Sequence, residues 1–180
     1  SPGSRSQALA LASAEAAEAG QLALHVVVDE RSAAFRALGI ALETGIPTVA
    51  MATSGSAPAH FLPAVMEAHH AGVPLIVVSA DRPASLKGVG ANQTTQHSGL
   101  FGFAAATIEA AAEEDSADSA GIEAALAVWE HAADGRAVHA NIEFSEPLSS
   151  SDDSEFVLPS LPASTRPPSE PVTLDLEPEA

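Results

Sequence analysis

The 180-residue sequence is 46% hydrophobic but only 4% aromatic, so its length allows one α/β domain with a core mainly of Ala, Val, Leu and Ile. Acidic residues outnumber basic ones 24 to 7, and the formal net charge of −17 excludes the basic surface that nucleic-acid binding needs. Cysteine is absent, which excludes disulfides and thiolate metal sites. Because we find neither a membrane-spanning run nor a signal-peptide pattern, we expect a cytoplasmic protein.

A loop of small residues, Ser-Pro-Gly-Ser-Arg-Ser, opens the sequence and leads into an Ala- and Leu-rich helix predicted to last to about Ala19. Gly20 is typical of a helix end, and Ser4 or Ser6 could cap the helix start. Free backbone N–H groups together with Arg5 would make this loop an anion site. The alternative is an ordinary solvated helix start, which the loop considered alone favours.

An apolar β-branched run predicts a strand at about residues 24–28, and it stops abruptly at Asp-Glu-Arg, of which Glu30 is the central residue. A helix to about Thr44 follows, with three large apolar residues on one face: Phe35, Leu38 and Leu42. In open parallel sheets, ligands bind at the carboxyl ends of the strands, so Glu30 is a candidate ligand-binding carboxylate. The alternative is that this acid only caps the helix or interacts with its dipole.

The next strand is predicted at residues 48–52, and the turn Thr53-Ser54-Gly55 follows it, before a helix at about residues 61–71. Gly55 would let a flat ligand approach the backbone closely. The alternative is a tight strand-to-helix turn with no ligand. The turn lacks the Gly-Lys-Ser/Thr ending of a P-loop and is not a Gly-x-Gly-x-x-Gly dinucleotide turn.

A third strand is predicted at residues 75–79, and it leads to Asp-Arg-Pro, in which Arg82 offers a planar guanidinium suited to carboxylates. The long irregular stretch at residues 84–102 contains Gly-Ala-Asn-Gln, with the amides Asn92 and Gln93. Loops of this length in a compact domain are usually functional or disordered. The alternative for Arg82 is a structural network with the preceding aspartate.

The remaining elements are a strand at 104–108, an acidic surface segment at 113–118, a helix at 122–133 with Leu126 and Trp129 on its inner face, and a strand at 137–142. This alternation predicts an α/β fold, a mainly parallel sheet flanked by helices on both faces. Residues 149–180, rich in Ser, Pro and acids, are predicted to be a linker or tail. The seven histidines show no metal-ligand spacing, so we expect no metal site built by this chain alone.

The order of these motifs resembles one family. Ser-Pro-Gly-Ser-Arg-Ser, Asp-Glu-Arg, Thr-Ser-Gly-Ser-Ala, Ser-Ala-Asp-Arg-Pro, Gly-Ala-Asn-Gln and Val-His-Ala-Asn-Ile-Glu-Phe-Ser-Glu-Pro-Leu occur in sequence. Residues 1–148 resemble the amino-terminal pyrimidine-binding domain of the 2-succinyl-5-enolpyruvyl-6-hydroxy-3-cyclohexene-1-carboxylate (SEPHCHC) synthases, thiamine-diphosphate enzymes of menaquinone biosynthesis.

The resemblance implies a transferase that decarboxylates 2-oxoglutarate and adds the succinyl semialdehyde carbanion to isochorismate. It implies thiamine diphosphate and Mg²⁺ or Mn²⁺ as cofactors, the metal being held by a diphosphate-binding domain. It also implies a homo-oligomer, a dimer at least, because the family's active site forms between this domain of one subunit and the diphosphate domain of another.

The resemblance also assigns individual residues. Glu30 matches the residue that hydrogen-bonds the aminopyrimidine ring, and it is the implied catalytic and cofactor-binding carboxylate. The wall beneath the pyrimidine is implied to be Thr53, Ser54 and Gly55. The implied substrate-binding residues are Ser4, Arg5, Arg82, Asn92 and Gln93.

Three features depart from the family pattern. The Gly-Asp-Gly…Asn-Asn metal–diphosphate motif is missing, the sequence starts inside the first loop, and His60 stands where Asn is frequent. We therefore expect a domain fragment that is inactive alone, without the central and diphosphate-binding domains. The alternatives are a domain of another thiamine-diphosphate synthase or decarboxylase, such as an acetolactate-type enzyme, and a non-catalytic α/β binding module.

Overall fold

A computed structural model describes residues 1–112 and 117–148, with the side chains of residues 117–120 left out. In this described part the helices are α1 (Gln7–Glu18), α2 (Glu30–Thr44), α3 (Leu62–Ala71) and α4 (Ala117–Ala133), and the strands are β1 (Thr48–Ala52), β2 (Leu75–Asp81), β3 (Ala106–Ala112) and β4 (Val138–Phe144). Short 3₁₀ helices cover Ser4–Ser6, Ala57–Phe61, Ala84–Leu86 and Gly102–Ala104. The predicted tail and residues 113–116 of the acidic segment lie outside the described residues.

The described strands form one parallel sheet in the order β1-β2-β4-β3. The predicted parallel α/β fold is therefore confirmed. Ala52 pairs with Ser79, and Asp81 pairs with Glu143, so the carboxyl ends of the three adjoining strands β1, β2 and β4 meet at one edge. This geometry brings together the segments that follow each strand.

Helices cover both faces of the sheet. On one face a single buried cluster joins α2 and α3 to β1 and β2, and it includes Ala34, Ala41, Val65, Leu75 and Val77. On the other face α4 packs against β2 and β4 through a second cluster: Ile76, Val128, Ala132, Val138 and Ala140. Successive residues of β2 point to opposite faces, which explains why Ile76 and Val77 belong to different clusters.

The prediction for the inner face of α4 was wrong. Leu126 and Trp129 are 52% and 45% exposed, whereas Val128 and Ala132 are buried. Residues 128 and 132 are one helical turn apart and share a face, while residue 126 is turned about 200° away from residue 128. The smaller side chains face the sheet and let the helix axis approach it closely.

Small side chains also form the buried face of α2. Phe35 and Leu42, on the predicted apolar face, are 42% and 67% exposed. Leu38, the third residue of that predicted face, is partly buried against the core. The fully buried residues of the helix are all small: Ala34, Ala37 and Ala41. Sequence periodicity therefore identified the helix correctly, but it placed the largest apolar side chains on the buried face. Close packing of a helix on a sheet favours alanine at the buried positions instead.

The predicted strand at residues 24–28 is not formed. No described strand pairs with it, and Val26 and Val28 are 73% and 90% exposed. The hydroxyl of Ser1 donates to the Val27 carbonyl (2.9 Å), and the nitrogen of Ser1 donates to the Met51 carbonyl of β1 (3.0 Å). Ser1 therefore stands between the two segments, and a strand without a laddered neighbour has nothing to stabilise it.

Two smaller features of the helices complete the fold. Ser6 occupies the N-cap position of α1 without capping it, because its hydroxyl accepts from the Gly3 nitrogen (3.0 Å) and donates to the Gly3 carbonyl (3.1 Å). The described residues contain no helix that is long and apolar enough to cross a membrane.

Candidate functional site

Glu30 is the first residue of α2, directly after the N-cap Asp29. The Asp29 carboxylate accepts from the Ser32 backbone nitrogen at 2.8 Å, and this bond holds the pKa of Asp29 below its ordinary value. Asp29 therefore does the capping that the alternative assigned to Glu30. The Glu30 side chain is half-buried and forms no hydrogen bond within residues 1–112 and 117–148.

Glu30 lies at the carboxyl edge of the sheet. It is close enough to the Ser1 nitrogen for an electrostatic interaction, and that nitrogen is bonded to Met51, the penultimate residue of β1. Arg82 follows β2, the parallel neighbour of β1. Glu30 and Arg82 therefore lie at the same edge, although Glu30, unlike Arg82, does not follow a strand of the sheet.

The turn Thr53-Ser54-Gly55 is buried and tightly packed. A Cβ atom on Gly3 would lie 2.6 Å from Thr53 Cβ, so the opening loop rests directly on the turn. Gly55 has φ of +74°, and a Cβ there would lie 2.6 Å from Gln93 Cγ. Gly3 is required because a side chain there would collide with Thr53. Gly55 is required because a side chain would collide with Gln93 and because its positive φ disfavours other residues.

Arg82 joins this turn to the irregular loop. Its Nη1 donates to the Ser54 hydroxyl (2.5 Å) and to the Gln93 carbonyl (2.7 Å). The Gln93 amide donates to the Ser54 carbonyl (3.2 Å). Burial and the neighbouring Arg5 lower the pKa of Arg82. Asn92 is exposed beside this cluster, and its carbonyl accepts from Thr94.

Arg5 reaches the same edge from the opening loop. It is 93% buried, being 7% exposed, and it donates to the Phe144 carbonyl at the end of β4 (2.8 Å) and to the Glu146 carboxylate (2.9 Å). Its Nε is buried without a partner in the described part of the chain. Ser4 is exposed beside it. The guanidinium of Arg5 is thus largely engaged by this chain.

Asp81 belongs to a buried polar network that the sequence interpretation did not identify. Its fully buried carboxylate lies 2.8 Å from Lys87 Nζ, which also lies 2.6 Å from Glu143. Burial alone would raise the pKa of Asp81, but Lys87, Asn141 and the Arg82 backbone N–H outweigh it and hold that pKa below its ordinary value. The same pairing raises the pKa of Lys87 despite partial burial.

The network continues across β2 and β4. Ser79 donates to the Asn141 side-chain oxygen (2.7 Å) and lies 2.7 Å from His139 Nε2. Burial lowers the pKa of His139 to about 4, so its ring is neutral at pH 7. Polar residues at alternate positions of an otherwise apolar strand, as in Val-His-Ala-Asn, are the signal that could have revealed this network.

The carboxyl edge of the sheet combines a half-buried carboxyl group with a buried turn that ends in glycine. Glu30 makes no hydrogen bond to another residue of 1–112 and 117–148, and the turn at residues 53–55 lies at the same edge. Among the residues that the structure describes, no group of three or more His, Asp or Glu side chains could hold a metal ion.

Comparison with known proteins agrees with this geometry. Residues 1–100 match the family described as "Thiamine pyrophosphate enzyme, N-terminal TPP binding domain". Relatives named 2-succinyl-5-enolpyruvyl-6-hydroxy-3-cyclohexene-1-carboxylate synthase are 50% identical over 157 residues in Leifsonia xyli subsp. xyli and 50% identical over 151 residues in Arthrobacter sp.. Another from Kineococcus radiotolerans is 62% identical over 94 residues, which are 52% of this chain and 17% of that relative.

The first two alignments cover 83% and 82% of this chain but only 26% and 25% of the relatives, so the chain spans about a quarter of their length. The family match covers 100 of the 180 residues and includes Glu30, the turn at residues 53–55 and Arg82. The chain therefore belongs to the thiamine pyrophosphate enzyme family, as an N-terminal TPP-binding domain.

Proposed function

We propose that this chain is the pyrimidine-binding part of a SEPHCHC synthase, the transferase that decarboxylates 2-oxoglutarate and adds the product carbanion to isochorismate in menaquinone biosynthesis. One observation carries the proposal: Glu30 is half-buried at the carboxyl edge, the edge at which the turn at residues 53–55 also lies, and its side chain makes no hydrogen bond to another described residue. The names of the relatives, at 44–62% identity, support the choice of reaction.

In this proposal Glu30 hydrogen-bonds a ring nitrogen of the aminopyrimidine and moves a proton at its carboxyl oxygen. Asp29 caps α2, which leaves the Glu30 carboxyl free for the ligand. Thr53, Ser54 and Gly55 form the wall against which the ring lies. Thiamine diphosphate, when bound, supplies the electron sink for decarboxylation, and the protein supplies orientation and proton transfer.

Arg82, Asn92 and Gln93, with Ser4 and Arg5, are proposed to bind the substrates, each of which carries two carboxylates. Within the described residues the Arg82 side chain donates through Nη1, which leaves its other N–H groups for a carboxylate. The engagement of Arg5 with Phe144 and Glu146 supports a role in shaping this end of the site. We further propose that another domain holds Mg²⁺ or Mn²⁺ with the diphosphate, in a cytoplasmic homo-oligomer.

The test is Glu30→Gln in the complete enzyme that carries this domain. The amide keeps the size of the side chain but cannot exchange a proton, so hydrogen–deuterium exchange at the cofactor's thiazolium carbon should slow by about 10²–10⁴-fold. Asp29→Asn is the matched control, because it removes the adjacent carboxylate and keeps a capping oxygen. Unchanged exchange in the Glu30 variant would refute the proposed role.

A further inference from the structure

His97 lies directly beneath the turn of the proposed site and is fully buried. Its Nε2 is 2.9 Å from the Gly55 carbonyl oxygen. On the other side of the ring, Nδ1 is 3.1 Å from Asn141 Oδ1 and 3.5 Å from Asp81 Oδ1. A carbonyl oxygen can only accept, so Nε2 carries a proton.

The side chain of Asn141 lies beside His97 Nδ1. The Asn141 amide nitrogen donates to Asp81 (3.0 Å) and to Glu109 (2.7 Å), two carboxylates. Its oxygen therefore faces both His97 and the Ser79 hydroxyl that donates to it. The His97 ring therefore lies between the Gly55 carbonyl on one side and the side chains of Asn141 and Asp81 on the other.

Acidic side chains from three strands lie around His97 and Asn141. Asp81 and Glu109 supply negative charge from β2 and β3, and Glu143 supplies more from β4. Lys87 balances part of this charge by pairing with Asp81 and Glu143. The other buried histidine, His139, has its pKa lowered by burial first and by the charge of His97 second.

We propose that His97 is a positioning residue: its ring connects the Gly55 carbonyl, beside Nε2, with Asn141 and Asp81, beside Nδ1, and so sets the depth of the turn at residues 53–55. Arg82 and Gln93 hold Ser54 from the exposed loop side, whereas His97 holds the turn from the buried side. Only the identity of the ligand above the turn rests on the proposed function.

The first measurement is NMR of the 180-residue chain labelled with ¹⁵N in its histidine rings, at neutral pH. His97 Nε2 should carry a proton, because the Gly55 carbonyl beside it can only accept. An unprotonated His97 Nε2 would overturn the proposal. This result is independent of any activity or cofactor.

The second measurement compares His97→Leu with His97→Gln, whose amide can still donate to the Gly55 carbonyl. Amide hydrogen exchange at residues 53–56 should be about tenfold faster in the leucine variant and within about threefold of wild type in the glutamine variant. His69→Leu, at an exposed position of α3, is the matched control. Equal acceleration in both His97 variants would mean that the ring only fills space.

The third measurement is thiamine diphosphate affinity in the complete enzyme, by calorimetry. His97→Leu should weaken it about tenfold, and His97→Gln should restore most of the loss. If the wild-type enzyme does not bind this cofactor, the proposed function fails, while the ring protonation and the amide exchange still decide the role of His97. A lower melting temperature with unchanged affinity would overturn the positioning role.

Discussion

Residues 24–28 and β2 are similar in sequence and opposite in structure. Both are β-branched apolar runs that lead into an acid and then an arginine. β2 is laddered on both sides, by β1 and β4, and Val77 is fully buried. Residues 24–28 pair with no strand in the described chain, and Val28 is 90% exposed. The comparison shows that strand formation depends on neighbours more than on intrinsic preference.

The acids that end the two runs differ in the same way. Asp81, the last residue of the central strand β2, is fully buried and bonded to Lys87 and Asn141. Glu30, after the unpaired run, is half-buried and makes no hydrogen bond to another described residue. The first carboxylate is therefore held within the fold, whereas the second has no hydrogen-bond partner in the described part of the chain.

The largest expected difference between the two runs is in packing. Leu75→Ala removes a fully buried side chain and should lower the free energy of unfolding by about 2–5 kcal/mol. Leu24 is 42% exposed, so Leu24→Ala should cost about 1 kcal/mol or less. Urea unfolding of the two variants measures both values. Similar losses would contradict the claim that residues 24–28 contribute little to the core.

The next effect is the pH dependence caused by a histidine in the central sheet. The pKa of His139 is lowered from 6.5 to about 4, so below pH 6.5 the unfolded chain takes up a proton that the folded chain refuses. Stability should therefore fall as the pH drops from 6.5 to 4, by about 3 kcal/mol in total from this group.

The measurement for this effect is the free energy of unfolding at a series of pH values. His139→Gln should flatten the dependence over that range, whatever its effect at neutral pH. His25→Gln is the matched control, since His25 is exposed in the unpaired run. An unchanged slope in His139→Gln would show that this ring is not the source.

A smaller effect concerns the ion pair at the end of β2. Lys87→Met leaves the buried Asp81 with only its hydrogen bonds and His97, and it should lower the free energy of unfolding by about 1–3 kcal/mol. Arg31→Met, beside Asp29 after the unpaired run, should have no measurable effect. Thermal unfolding of the two variants provides the comparison. Equal losses of stability would contradict the claim that the ion pair of Asp81 matters more to the fold than the charge beside Asp29.

The acid pair Asp29 and Glu30 gives the smallest expected effect. Asp29→Ala removes the bond to the Ser32 nitrogen and should lower the melting temperature by a few degrees. Glu30→Gln should change it less, because the Glu30 side chain has no hydrogen bond to lose in the described residues. Differential scanning calorimetry can resolve the order, and the reverse order would make Glu30 the structural acid.

Much of the candidate site could be predicted, because it depends on chain order and on the polarity of a parallel sheet. Acids, small turns and arginine placed directly after apolar runs necessarily meet at one edge once the strands are parallel. Ser54 and Arg82 are brought to that edge by β1 and β2, whereas Glu30 follows no strand and is placed there by its proximity to Ser1, which is bonded to Met51 of β1. The roles assigned to them in catalysis and binding stay predictions.

The sequence by itself determined the α/β class, the parallel sheet and most helix and strand limits, since periodicity and glycine or proline punctuation are local. Only the tertiary structure decided which helix faces are buried, whether residues 24–28 form a strand, and that Asp81, His97 and Asn141 meet. The physical reason is that these outcomes depend on partners far away in the chain. Close packing of α4 on the sheet buried alanine and left Trp129 and Leu126 exposed. Neighbouring strands stabilised β2, whereas residues 24–28 have no such neighbours in the described chain.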